Sequence, residues 1–312
     1  MSARSSNQFL DTLGRHLFGA DGPETRGDRL YFRLVEFFIL AYAVWFCWDW
    51  GLYIQQNISS VLLPLGLANY VDVSFLFGHN VALLNAGLVA LLGGLGFFRF
   101  WRPAYLLALV AFHFQYVARY SLGEISHGSN LIGMGVLGLG VALVAFRSPS
   151  MRRRFTFGFL YFFIGLGYTS AAVCKLIGTG IMWPDGRHLL MWIAERKVDT
   201  LSKFGAFEPN VLQEWVLTDY HVGTAILLFG LFTEAISFLM WWRPYRYPVV
   251  LLVVGMHFGI YVSMNIFFAA STYFLILLSL PWNRVFDALL ETDAPGLSLS
   301  DVLPRRRTRA SQ

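Results

Sequence analysis

Residues 155–175 read FTFGFLYFFIGLGYTSAAVCK, an uncharged run that ends in a lysine. About 20 apolar residues in a helix cross the ~30 Å hydrocarbon layer of a bilayer, so this stretch predicts a membrane span. Lys175 is one of three lysines among 24 basic residues, and it closes that span. A cation near hydrocarbon costs about 2.5–3.5 kcal/mol, so a task or a partner holds it there. It is the first candidate for a functional residue. Ala171 and Gly167, at i−4 and i−8, place small residues on the same helical face, which predicts that Lys175 faces protein and not lipid.

The rest of the chain has the same character. It is 56% apolar, 17% aromatic and only 14% charged, a balance unlike that of a water-soluble domain of this length. The expected architecture is all-α, a polytopic helical bundle of about eight transmembrane helices with outer interfacial helices. The spans fall near 31–54, 80–98, 104–122, 129–146, 155–175, 222–242, 248–264 and 265–280. The last two form one apolar stretch too long for a single crossing, divided at Ser263, Met264 and Asn265. Three segments result: a cytoplasmic N-terminal segment 1–30, a transmembrane domain 31–284 and a basic cytoplasmic tail 285–312.

Arginines cluster at 26–33, 99–102, 147–154, 243–246 and 284–309, that is, in alternate connections and at both ends. By the positive-inside rule both termini of this multi-pass cell-membrane protein are cytoplasmic and the number of crossings is even. The formal charge of +5 is then a topology signal and calls for no nucleic-acid partner. Arg305 to Arg307 and Arg309 favour anionic headgroups, so membrane lipids are expected partners. No apolar core of a cleavable signal appears in residues 1–30, and the first span is expected to act as its own insertion signal. Within that segment, Phe9, Leu10, Leu13, Leu17 and Phe18 among Arg15 and His16 suit either an interfacial helix or a frayed tail.

The one large connection, 177–221, is placed outside. Leu189, Leu190, Trp192 and Ile193 alternate with Glu195, Arg196 and Lys197 at helical spacing, as in a surface helix or a cap over an outward-facing site, and 211–217 suits a second such helix. Cys47 and Cys174 lie in predicted spans, where apolar burial is the commoner state and a disulfide the alternative. There is no metal-ligand spacing, and no metal is expected.

The same topology brings several polar residues to the outer side. Lys175 ends the fifth span, His127 lies in the connection before the fourth, and His257 lies in the outer half of the seventh. Tyr261 and Asn265 follow His257 at i+4 and i+8 and line one face if the helix continues. Asn130 lies one turn beyond His127. Glu234, deep in the sixth span, needs a basic partner or a proton. Lys175, His127 and His257 are the candidate catalytic residues, with Asn130, Glu234, Tyr261 and Asn265 as candidate substrate-binding residues. Desolvation would let Lys175 act as a base, and histidine titrates near neutrality. His113 is read as a packed structural residue, and Arg33 with Glu36 as an ion pair one helical turn apart.

The ordered set of HGSNL at 127–131, AAVCKL at 171–176, WPDG at 183–186, Glu234 in a span, His257, NIFF at 265–268 and LPWNR at 280–284 resembles the HTTM (horizontally transferred transmembrane) domain family, whose best-known member is vitamin K-dependent gamma-carboxylase. The resemblance implies that Lys175 deprotonates a reduced quinone, that His127 stabilises an anion and that His257 shapes an outer chamber. A quinone or hydroquinone would then be the cofactor of lyase-type chemistry. The chain departs from the carboxylase in having Cys174-Lys175 where that enzyme has paired lysines, in its Ser126, and in lacking the large outward propeptide-binding domain. The leading expectation is an enzyme acting on a lipid-soluble, quinol-like substrate or on an outer-surface peptide. The alternative is a non-enzymatic quinone-, lipid- or peptide-binding subunit or maturation factor of a membrane complex, and a transporter is third.

Overall fold

The computed structural model describes residues 3–19, 24–57, 63–121 and 127–290, with side chains except at 3–7, 57 and 127. The basic tail at 305–309 lies outside the described residues. Every regular element among those described is helical. In chain order they are α1 (Ala3–Phe18), α2 (Arg26–Asn57), α3 (Val81–Phe97), α4 (Ala104–Tyr120), α5 (His127–Ala145), α6 (Pro149–Thr179), α7 (Gly186–Phe204), α8 (Val211–Thr218), α9 (Tyr220–Ala235), α10 (Arg243–Met264), α11 (Ala269–Ser279) and α12 (Trp282–Leu290).

A helix occupies each expected span, but not all are of spanning length. Five stretches among the described residues are long and apolar enough to cross a bilayer: Arg26–Gln56, Gly128–Ala145, Pro149–Met182, Tyr220–Trp241 and Arg243–Met264. A sixth is reached only if α11 and α12 count as one broken crossing, and α3 is apolar but shorter. This is a multi-pass, membrane-embedded helical protein. Residues 3–18, for which the sequence left two readings open, are helical.

Two compact units divide the chain: residues 19–156 with 280–312, and residues 1–18 with 157–279. In the first, α2, α3 and α4 are joined by polar contacts inside an apolar core. Asn85 on α3 donates to the Ala111 carbonyl and to Gln115 Oε1 on α4, both at 2.9 Å, and Gln115 Nε2 donates to the Cys47 carbonyl on α2 at 3.1 Å. In hydrocarbon such groups find no water, so each must be satisfied by protein. Cys47 is buried and Cys174 exposed, both as free thiols. α12 is tied to the start of α2 where the Gly27 amide donates to Asp287 at 2.7 Å and Asn283 donates to Asp28 at 3.1 Å.

The second unit holds α6 from residue 157 onward. The packed face of α6 differs from the expected one. A Cβ at Gly167 would meet nothing, so the Gly167 and Ala171 face is not the close-approach surface. That surface is at Gly158, where Phe18 and the Leu17 carbonyl press in, and at Gly165, where a Cβ would lie 2.7 Å from Trp241 Nε1 and 2.8 Å from the Ser237 carbonyl. Trp241 Nε1 donates to the Phe162 carbonyl at 3.0 Å and Tyr161 donates to the Leu278 carbonyl at 2.8 Å. The His16 carbonyl, at the end of α1, accepts from Arg243 at 3.1 Å and from Arg246 at 3.0 Å, an arrangement that suits the negative end of a helix.

α7 buries Leu189 and Ile193 against Val216 of α8 and Leu227 of α9, while Met191, Val198, Leu201 and Phe204 stay exposed. α7 and α9 approach at Gly186 and Gly223. The Gly186 amide donates to Thr224 Oγ1 at 2.9 Å, and a Cβ there would clash with the Tyr220 carbonyl and Thr224 backbone. Gly186→Ala is therefore expected to cost about 1–3 kcal/mol, because backbone on the facing helix has to move. Thermal unfolding of the detergent-solubilised variant checks this, with Gly167→Ala as the neutral control.

Candidate functional site

Lys175 occurs near the end of α6. Its ammonium donates to both oxygens of Glu234 on α9, at 2.5 and 2.6 Å. The side chains are 31% and 8% exposed respectively. After α6 the chain turns through a left-handed Gly180 (φ 74°) and a short 3-10 turn, Gly180–Met182. This returns Trp183 to Lys175, with Nζ 4.5 Å from the ring centroid. The lysine thus spends two N–H groups on a carboxylate and sets its charge against a ring face. Thr169 holds the same crossing, donating to the Glu234 carbonyl at 3.3 Å and accepting from the Phe238 amide at 2.9 Å.

Next to Thr169 on α6, Tyr168 reaches α10 and lies 2.6 Å from His257 Nε2. His257 is 7% exposed, edge-on to Tyr168 and to Phe268, and its Nδ1 is buried without a partner among the described residues. Tyr168 and Lys175 are two helical turns apart on α6, so α6 offers α9 a cation and α10 a phenol from one face. The chemical capacity here is proton sharing between fixed partners. Among the described residues no three His, Cys, Asp or Glu side chains form a group that could hold a metal.

The expected line from His257 through Tyr261 to Asn265 ends early. α10 stops at Met264 and Asn265 takes a left-handed conformation (φ 53°) as its cap, donating its amide to the Tyr261 carbonyl. Tyr261 is exposed and packs edge-on against Phe267. Both Tyr261 and Asn265 line a groove of about 660 Å³, with Arg196 from α7, Phe207 from the following turn, and Val211 and Trp215 from α8. Lys175, Glu234 and His257 are not among its lining residues.

The walls of this groove are locked. Asn210 and Gln213 form a reciprocal capping box at the start of α8. Asn210 Nδ2 also donates to the Val262 carbonyl at 2.8 Å, and Gln213 Nε2 to the Ser263 carbonyl at 3.1 Å. The end of α10 is thereby bound to α8 through carbonyls its own last turn leaves unpaired. At the other end of α7, Asp185 caps the helix and pairs with Arg187; that side chain and then the Arg187 backbone amide hold its carboxyl down at about 2.

Of the remaining candidates, the His127 side chain lies outside the described ones. Asn130 is exposed on α5 and hydrogen-bonds Tyr116. His113 stacks on Tyr116 at 6.1 Å. The sequence reading of Arg33 and Glu36 as one ion pair is too small. Glu36 is fully buried and also takes Arg99 Nη1 and Nη2, at 2.5 and 2.8 Å, and the Tyr105 hydroxyl at 2.6 Å.

Sequence reasoning named Arg196 only as a polar residue of a surface helix, and did not name Phe207 or Trp215, or Tyr168 as the partner of His257. The asparagine and glutamine of the capping box at 210 and 213 were a readable signal for a helix start there. Their grip on α10 was not readable, since it spans 50 residues. No family model matches the chain, and no curated protein or solved structure matches it either.

Proposed function

We propose that this is an HTTM-like membrane protein acting as a non-enzymatic binding subunit, which holds an amphipathic molecule (a quinone, a lipid or a peptide segment) in the groove between α7, α8 and the end of α10. The proposal takes the eight-crossing topology with both termini cytoplasmic, so that the groove opens outward. The resemblance in residue order from 127 to 284 supports the family.

The observation that carries the binding reading is the full engagement of Lys175. A general base needs a free lone pair within reach of its substrate. Here both Glu234 oxygens and the Trp183 ring occupy the ammonium. The groove, by contrast, has the size of small-molecule sites and their composition, apolar walls with a few convergent polar groups. Phe207, Val211 and Trp215 suit a hydrocarbon or ring, while Arg196 and Asn265 suit a polar end. The exposed Met191, Val198 and Phe204 of α7 favour a helix seated in the membrane interface, where such molecules concentrate.

Extraction and mass spectrometry of the protein purified from native membranes test this. A co-purifying amphiphile is expected, with its occupancy reduced about tenfold by Trp215→Ala, the scale of losing one aromatic anchor. Lys175-dependent conversion of a reduced quinone by the purified protein would refute the binding-subunit reading and favour carboxylase-like chemistry.

A further inference from the structure

Four arginines gather in the unit formed by residues 19–156 and 280–312, and two of them share a single carboxylate. Arg33 and Arg99 both use Glu36, which also accepts from Tyr105. Arg102 lies across the end of α5, donating to the Leu143, Val144 and Phe146 carbonyls at 2.9, 2.7 and 3.3 Å. Arg152, in the first turn of α6, lies within electrostatic reach of Arg33, Arg99 and Arg102 as well as Glu36. Its Nε is buried without a hydrogen-bond partner among the described residues, and its Nη2 makes one long contact, 3.4 Å to the Arg147 carbonyl.

The placement of Arg152 is electrostatically wrong for an isolated helix. A helix N-terminus carries positive partial charge and favours anions. The first turn of α6 has no acidic residue, and Arg152 to Arg154 follow one another there. Arg153 is neutralised by Asp28 at 2.7 Å and Glu24 at 3.4 Å, and among the described residues Arg152 has no carboxylate of its own. Repulsion among the guanidinium groups and the dipole act in the same direction, and both favour an anion at this helix start.

The surroundings indicate its source. Phe98, Phe100, Trp101 and Met151 are exposed between and beside these arginines. Aromatic residues next to cations mark the level of the headgroups, where a phosphate brings acyl chains with it. We propose that Arg152 and Arg102, over the start of α6, bind the phosphate of an anionic phospholipid whose acyl chains run against Phe98, Phe100 and Trp101. This is independent of the groove and its occupant.

The test is the thermal midpoint and native mass spectrum of the full-length protein in neutral detergent, titrated with phosphatidylglycerol, phosphatidylcholine or inorganic phosphate. Phosphatidylglycerol is expected to raise the midpoint and to bind at least about fivefold more tightly than phosphatidylcholine, with Arg152→Gln abolishing the preference. Ser150→Asp supplies an internal anion to the same helix start. It is expected to raise the midpoint without lipid and to remove the lipid preference, which keeps the test open should Arg152→Gln fail to fold. Replacing Arg305, Arg306, Arg307 and Arg309 by glutamine should leave the preference intact. Equal effects of both lipids, an effect of inorganic phosphate equal to that of phosphatidylglycerol, or a preference that survives Ser150→Asp would each overturn the proposal.

Discussion

Replacing Lys175 by methionine is expected to lower stability by about 3–5 kcal/mol, visible as a lower thermal midpoint and reduced accumulation in the membrane. The variant keeps the length and apolar stem of the side chain but leaves the Glu234 carboxylate, 8% exposed, without its cation, and an unpaired buried charge is the expensive half of a broken pair. Glu234→Gln should cost less, about 1–2 kcal/mol, because the ammonium is the more exposed partner and its four-carbon stem lets it move toward water. The double variant Lys175→Met with Glu234→Leu should recover most of the loss, since removing both charges also removes their desolvation. A double-mutant cycle closed with the Glu234→Leu single variant reads the coupling directly. Single-variant losses that simply add in the double variant would show that the pair does not organise the crossing of α6 and α9.

Glu36→Ala is the second large effect, again about 3–5 kcal/mol. Glu36 is fully buried and accepts from Arg33, Arg99 and Tyr105 at once, so its loss takes the carboxylate from Arg99 and from a buried phenol, while the more exposed Arg33 keeps the Phe97 carbonyl. Tyr105→Phe deletes one donor and should cost about 1–1.5 kcal/mol, the net value of one hydrogen bond. The order Glu36→Ala, then Glu36→Gln, then Tyr105→Phe is the expected result in a detergent thermal series. A Glu36→Ala variant as stable as Tyr105→Phe would mean that the arginines find water instead, and that this end of the unit is solvated.

These two carboxylates show where sequence reasoning stops. Composition and apolar runs of about 20 residues identified a helical membrane protein, and a helix stands at each of the eight expected places, because hydrocarbon allows only structures that satisfy their own backbone hydrogen bonds. The same argument stated that Glu234 required a cation or a proton. It could not choose Lys175, 59 residues earlier, because that pairing depends on how α6 and α9 cross. The close approaches of α6 at Gly158 and Gly165 are to the end of α1 and to the turn that follows α9; Gly167, equally small, faces open space.

The chain by itself determined helix positions, the cost of each buried charge and the small set of residues that could answer it, since these follow from local spacing and solvation. Only the tertiary structure decided the partners: Lys175 with Glu234 and Trp183, His257 with Tyr168, Glu36 with two arginines and a tyrosine. It also decided that α10 ends at Met264, so that Tyr261 and Asn265 line the groove with Arg196 and Trp215 and leave His257 behind. Long-range pairing is a property of packed faces, and period alone does not specify which face meets which.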